Sequence, residues 1–174
     1  TLTTISSAFT TIDASGLAGK LTMADSSRAS TTANTITSST ANDTIIMQHK
    51  NDVLSAGEKT SDNDTLKIVD NLVLGGVEVD LTSADQITTY NGSANTASQA
   101  GFESVDLSGV TGGYGASITG DDNANTIVGT SVVDEITAGK GADAITGGGG
   151  NDTIILTEST AATDTLTFES TGSG

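Results

Sequence analysis

The chain has 174 residues, of which 34% are hydrophobic and 3% aromatic, too few large apolar groups for a thick globular core. Its six Lys and Arg against 22 Asp and Glu leave a formal net charge of −16, which excludes nucleic acid as a partner because binding a polyanion needs clustered cations. No run is long and apolar enough to span a bilayer as a helix, since even the stretch from Val69 to Val79 is interrupted by Asp70, Asn71 and Glu78.

So acidic a surface repels itself unless cations neutralise it, which leaves a solvated acidic coat or carboxylates arranged to hold metal. The chain has no Pro, no Cys and 21 Gly. That suits a thin solenoid, in which each short coil buries one or two aliphatics against its neighbours. Extracellular calcium can then take the stapling role of disulfides. The sequence starts at Thr1 without Met or a signal segment and reads as a piece of something longer.

In chain order, the first landmark is the segment from Ala8 to Gly19, with Phe9, Ile12, Asp13, Gly16 and Leu17. Next, Ile36, Ile45 and Leu54 fall at a spacing of nine, with Asn34, Asp43 and Asp52 two positions ahead of them. The loops between carry no turn glycines, and Lys50 stands where a cation would oppose bound calcium. These residues predict solenoid rungs held by aliphatics and Thr/Ser ladders, largely without metal. His49, the single histidine, falls in a turn and reads as a solvated loop residue. A twelve-residue step then leads from Leu54 to Asp64-Thr65-Leu66.

In the middle, Val77-Glu78-Val79-Asp80-Leu81 alternates like a strand. Ser83-Ala84-Asp85-Gln86 predicts the cap of a short helical turn ending near Asn91-Gly92, and Ser93 to Ala100 predicts a loop. The first landmark then returns as Gly101 to Gly112, with Phe102, Val105, Asp106, Gly109 and Val110 in the matching places.

Between Thr111 and Ile155 the ruler of nine is fully developed. Ile118, Ile127, Ile136, Ile145 and Ile154 follow at equal spacing, and Asn125, Asp134, Asp143 and Asp152 lie two positions ahead of the last four. Gly139 and Gly141, then residues 147–150 with Gly148 and Gly150, precede the last two Asp. A nine-residue unit divides into a turn of about six residues and a strand of about three, with Ile pointing inward and its neighbours outward. Two units make one coil, so alternate units stack about 4.8 Å apart. That pairs Asp134 with Asp152 and Asn125 with Asp143, a carboxylate ladder that is repulsive without a cation. Glycines with positive φ turn carbonyl oxygens inward, and each Asp adds a carboxylate, which suits a hard cation with six to eight oxygen ligands. Val132 occupies a glycine slot, where a β-branched residue predicts strain. Beyond Ile154 the twelve-residue step recurs, to Asp164-Thr165-Leu166.

The segments 138–145 and 147–154 follow the pattern G-G-x-G-x-D-x-U-x almost letter for letter and resemble the repeats-in-toxin (RTX) family, found in bacterial surface-layer proteins, large adhesins, and the tails of secreted toxins, proteases and lipases. The motif covers about a quarter of the chain. Its first repeats are degenerate, with Tyr114 and Asn123 in place of the second turn glycine and Ala116 in place of Asp. The resemblance implies an all-β fold, a right-handed parallel β-solenoid or β-roll with calcium-binding turns. It also implies export through a one-step (type I) secretion channel and calcium-driven folding outside the cell. The expected Ca2+ ligands are Asp143 and Asp152, then Asp134 and Asn125, with backbone oxygens of Gly139, Gly141, Gly148 and Gly150.

The shared landmarks divide the chain into a first long repeat, residues 1–98, with degenerate rungs and a connecting strand and loop. A second long repeat, residues 99–174, carries the nonapeptides of 111–155 and breaks off. Asn-Asp-Thr strings at Asn42, Asn63 and Asn151 belong to the repeat and are weak glycosylation signals, as is Asn91-Gly92-Ser93. The four glycines at 147–150 lack the Lys and helix of a phosphate loop. Paired carboxylates for glycoside hydrolysis come with no aromatic sugar platform.

No catalytic cluster stands out, so the leading expectation is no enzyme but a structural segment of a secreted cell-surface protein, a surface-layer subunit that calcium folds and assembles. Its partners are calcium, other copies of itself in a lattice, and surface polysaccharide. The alternatives are the shaft or binding module of a large adhesin, and the secretion-competent tail of an exported hydrolase.

Overall fold

A computed structural model describes residues 10–23, 32–57, 62–69, 75–156 and 162–168. Ala8, Phe9, Asp70 and Asn71 lie outside the described residues. In chain order the strands are β1 (Thr11–Asp13), β2 (Thr35–Thr37), β3 (Thr44–Met47), β4 (Val53–Ser55), β5 (Thr65–Ile68), β6 (Val77–Asp80), β7 (Ile87–Tyr90) and β8 (Ser93–Ala94). They continue with β9 (Gln99–Ala100), β10 (Ser104–Asp106), β11 (Ala116–Thr119), β12 (Thr126–Val128), β13 (Glu135–Thr137), β14 (Ala144–Thr146), β15 (Thr153–Ile155) and β16 (Thr165–Thr167). There is no helix among the described residues, and none long and apolar enough to cross a membrane.

The strands form a parallel β-solenoid. One four-stranded sheet runs β1-β2-β4-β9, and a six-stranded sheet runs β16-β14-β12-β10-β5-β3. A third sheet runs β15-β13-β11-β6-β7-β8. The nine-residue ruler sets the register, because each coil uses two units and so places every second aliphatic in one stack. Ile118 pairs with Ile136 and Ile136 with Ile154, while Ile127 pairs with Ile145 and Ile145 with Leu166. Ile36 pairs with Leu54 and Ile45 with Leu66 in the same way. These aliphatics point into the core, where Ile36, Ile45, Leu54, Leu66, Ile127, Ile136 and Ile145 are fully buried. Their strand neighbours face outward or lie half-buried, as in the exposed-buried-half-buried order of β12, β13 and β14.

Corresponding places in the two halves of the chain make corresponding pairings. Ile12 pairs with Ile36 as Val105 does with Ile127, and Ile45 pairs with Leu66 as Ile145 does with Leu166. The turns after β1 and β10 also agree. Asp13 Oδ1 accepts from the N–H and hydroxyl of Ser15, as Asp106 Oδ1 does from Ser108. The Leu17 N–H then bonds Ala14 O at 2.8 Å, as that of Val110 bonds Leu107 O at 2.9 Å. The second sheet takes strands from both halves, from β3 to β16, so the core continues from one to the other.

The connecting region differs from its sequence expectation. β6 forms over Val77–Asp80, but Ser83 to Asp85 make bends and not a helical turn. The β-branched Ile87, Thr88 and Thr89 that follow extend into β7, which pairs antiparallel with β6. Asn91 and Gly92, with φ of 56° and 68°, form the tight turn into β8. The expected loop from Ser93 to Ala100 thus contains β8 and β9. Buried Gln86 ties this hairpin to the solenoid: its Nε2 donates to Phe102 O at 2.7 Å and its Oε1 accepts from Phe102 N at 2.9 Å.

Candidate metal centre

The turns that precede β14 and β15 are built on glycine. Gly139, Gly141, Gly148 and Gly150 all have positive φ, between 90° and 114°. Stacking makes the same demand as conformation. A Cβ on Gly141 would stand 2.5 Å from Asn123 O, and one on Gly150 would stand 2.6 Å from the Val132 carbonyl carbon. The turn before β13 is made differently. Val132 does not take the left-handed conformation, so the strain expected there is absent. Thr130 shapes that turn through its hydroxyl, which accepts from the Val132 N–H at 3.2 Å.

The four polar side chains of the ruler form two columns, as the stacking predicts. In one, the Ala116 N–H donates to Asp134 Oδ1 at 2.6 Å and the Asp134 N–H to Asp152 Oδ1 at 3.0 Å. In the other, the Asn125 N–H donates to Asp143 Oδ1 at 2.8 Å and the Asp143 N–H to Asp164 Oδ1 at 3.0 Å. Asn125, Asp134 and Asp143 are each 2% exposed, and Asp152 is half-buried. Burial pushes the Asp134 carboxyl above its ordinary range against the pull of its N–H donors, and the charge of Asp152 on the next rung adds to the rise.

Main-chain oxygens come to the same places. The Cβ that Gly129 lacks would lie 2.2 Å from Gly147 O and 2.5 Å from Asp134 Oδ2. That of Gly120 would lie 1.9 Å from Ala138 O and 2.6 Å from Asn125 Oδ1. Absent side chains therefore open cradles where a carbonyl and a polar side-chain oxygen of stacked rungs approach each other. At the end of the array, a hollow of about 250 Å³ is lined by Gly147, Gly148, Gly150, Asp152, Thr167 and Phe168. Every donor in these turns is an oxygen, so the residues fit a hard cation such as calcium.

What distinguishes the turns is the residue four positions before each acid. Ser39 stands there for Asp43 and Thr130 for Asp134, and each donates both its N–H and its hydroxyl to that carboxylate. Asp52 takes the N–H groups of Gln48 and His49 on Oδ2, and that of Asn34 on Oδ1. For Asp143 and Asp152 the same place holds Gly139 and Gly148, which have no hydroxyl to offer. This difference is written in the sequence, and it leaves Asp143 and Asp152 without the hydroxyl donor that Asp134 receives from Thr130. Sequence reasoning missed buried Asp121, whose carboxylate accepts from Asn123 and Asn125, and the carbonyls of Ala138 and Gly147. The carbonyls carry no side-chain signal at all.

Residues 119–154 match the family model of the RTX calcium-binding nonapeptide repeat, in four copies. No curated protein and no solved structure gives a significant match to the chain.

Proposed function

Starting from an RTX calcium-binding repeat array at residues 119–154, we propose that the chain is a structural segment of a secreted bacterial cell-surface protein, a surface-layer subunit that calcium folds and assembles. The observation that carries this reading is the pair of acidic columns on stacked glycine turns beside a core of stacked aliphatics. RTX proteins are in general extracellular and bacterial, and β-solenoid repeat modules of this kind are typically scaffolds and not catalysts.

In this reading, Asp143 and Asp152 are the main calcium ligands, with Asp134, Asn125 and main-chain oxygens of Gly139, Gly141, Gly148 and Gly150 completing the shells. Bound calcium supplies the positive charge that lets the columns sit about 4.8 Å apart. Residues 1–98 form a first long unit, whose saturated Asp43 and Asp52 need no ion, and residues 99–174 a second. Inside a cell, where calcium is scarce, the chain stays threadable for export. Outside, millimolar calcium folds it, and further copies and surface polysaccharide are the partners that build a layer.

Circular dichroism of the chain in chelator and then in calcium tests the folding step. In chelator the β signal of residues 99–174 is expected to be lost, leaving only that of the first unit, and the total to grow to saturation with calcium. A strong β spectrum indifferent to chelator would contradict it. Electron microscopy after calcium addition is expected to reveal ordered sheets; monodisperse single particles at every calcium concentration would remove the lattice from the proposal.

A further inference from the structure

A second acidic site lies outside the nonapeptides, where the rungs of the first half meet those that begin with β10. Asp62 and Asp64 precede β5, and Glu103 precedes β10, which pairs with β5. One carboxylate oxygen from each of the three falls within 4.8 Å of the others. Asp64 is 1% exposed and Glu103 3% exposed. Asp64 Oδ1 accepts from the Asp43 N–H at 2.6 Å, and the Asp64 N–H donates to Glu103 Oε2 at 2.8 Å. Asp64 Oδ2 and Asp62 Oδ1 are buried and meet no hydrogen-bond donor among the described residues. The charges that act on Asp64 are those of Asp62, Asp43 and Glu103, all negative.

We propose that Asp62, Asp64 and Glu103 hold a calcium ion at the junction between the two halves of the solenoid. Burying a carboxylate oxygen with no partner is costly, and a cation removes that cost for Asp62 and Asp64 together. The donor set is all oxygen, which selects a hard cation over zinc or copper. Two oxygens on one calcium, each at about 2.3–2.6 Å, lie at most about 5 Å apart, so the observed limit of 4.8 Å is compatible with a common centre. Since Asp64 belongs to β5's rung and Glu103 to β10's, the ion ties the first half to the second. The site does not depend on the nonapeptide turns, and neither motif nor ruler contains Asp62 or Glu103.

The test is calorimetric calcium titration of the whole chain, of D62N/E103Q and of D143N/D152N. Gln at 103 keeps an acceptor for the Asp64 N–H, and Asn at 62 preserves shape. The D62N/E103Q chain is expected to bind about one ion fewer, with the nonapeptide ions retained, and D143N/D152N to lose ions while keeping the junction one. Unchanged stoichiometry and affinity in a folded D62N/E103Q chain overturns the junction site and leaves the RTX reading standing. Loss in D62N/E103Q with none in D143N/D152N does the reverse. If D62N/E103Q does not fold, anomalous scattering from crystals of the unaltered chain grown in calcium decides. A peak among the three carboxylates supports the site, and their being ordered without one overturns it.

Discussion

At the scale of single residues, the contrast between a hydroxyl and a hydrogen four positions before an acid decides what that acid needs. Asp43 and Asp134 receive a hydroxyl and an N–H from Ser39 or Thr130, whereas Asp143 and Asp152 have Gly139 and Gly148 at that place in the chain. Asp143→Ala and Asp152→Ala are each expected to raise the calcium concentration at half-folding, by about tenfold if about 1.4 kcal/mol of ion binding is lost. Asp13→Ala serves as the control, because the Asp13 carboxylate is exposed and occupied by Ser15 within its own turn. A calcium titration followed by circular dichroism compares the three. A similar shift in all three would mean that the acids act through net charge alone.

At the scale of elements, the rungs were legible because a spacing of nine allows one arrangement, with alternate aliphatics in one stack. Ile118, Ile136 and Ile154 pair as the ruler requires. The β7–β8 hairpin was not, although Asn91-Gly92 is a strong turn signal, because Ser83 to Gln86 has the composition of a helix cap and the β-branched run of Ile87, Thr88 and Thr89 is only three residues long. Buried Gln86 and Glu103 were also invisible, since polar residues enter the core only through partners far along the chain, Phe102 for one and Asp64 for the other. The candidate nonapeptide site was legible in its carboxylates and glycines but not in its carbonyls. β12, β13 and β14 each fully bury a single aliphatic, so a gap in this part of the core has no second layer to relax into. Ile136→Ala, in the middle of its stack, is expected to cost about 2–5 kcal/mol. Urea unfolding in saturating calcium measures it, and a loss below about 1 kcal/mol would mean the stack is not the core.

At the scale of the molecule, the net charge of −16 is opposed by few ion pairs; those between described residues include Lys67 with Asp106 and Lys140 with Asp122. Burial raises Asp64 from 3.8 to about 7, with Asp62, Asp43 and Glu103 adding to it, and raises Asp134 as well. A carboxyl whose folded pKa is raised binds its proton more tightly in the fold. Its contribution to stability is complete below about 3.8 and is lost as pH rises through about 7. In chelator the unfolding temperature of the first half, which holds Asp64, is therefore expected to fall between about pH 4 and pH 7, and Asp64→Asn to flatten that slope; thermal melts across this range check both. In calcium the ion replaces the proton, and the slope should shrink or change sign.

The sheet that runs from β3 to β16 has its hydrogen bonds along the stacking direction, with strands only three or four residues wide. Tension applied between the two ends of such a chain meets only one narrow row of bonds at a time. The molecule would give way coil by coil, as an unwinding spring does, and would not snap as one body. Each coil released lengthens the chain and lowers the load on the next. A wall assembled from such threads would absorb a blow by paying out length locally, and would rewind where calcium remained in the surrounding fluid.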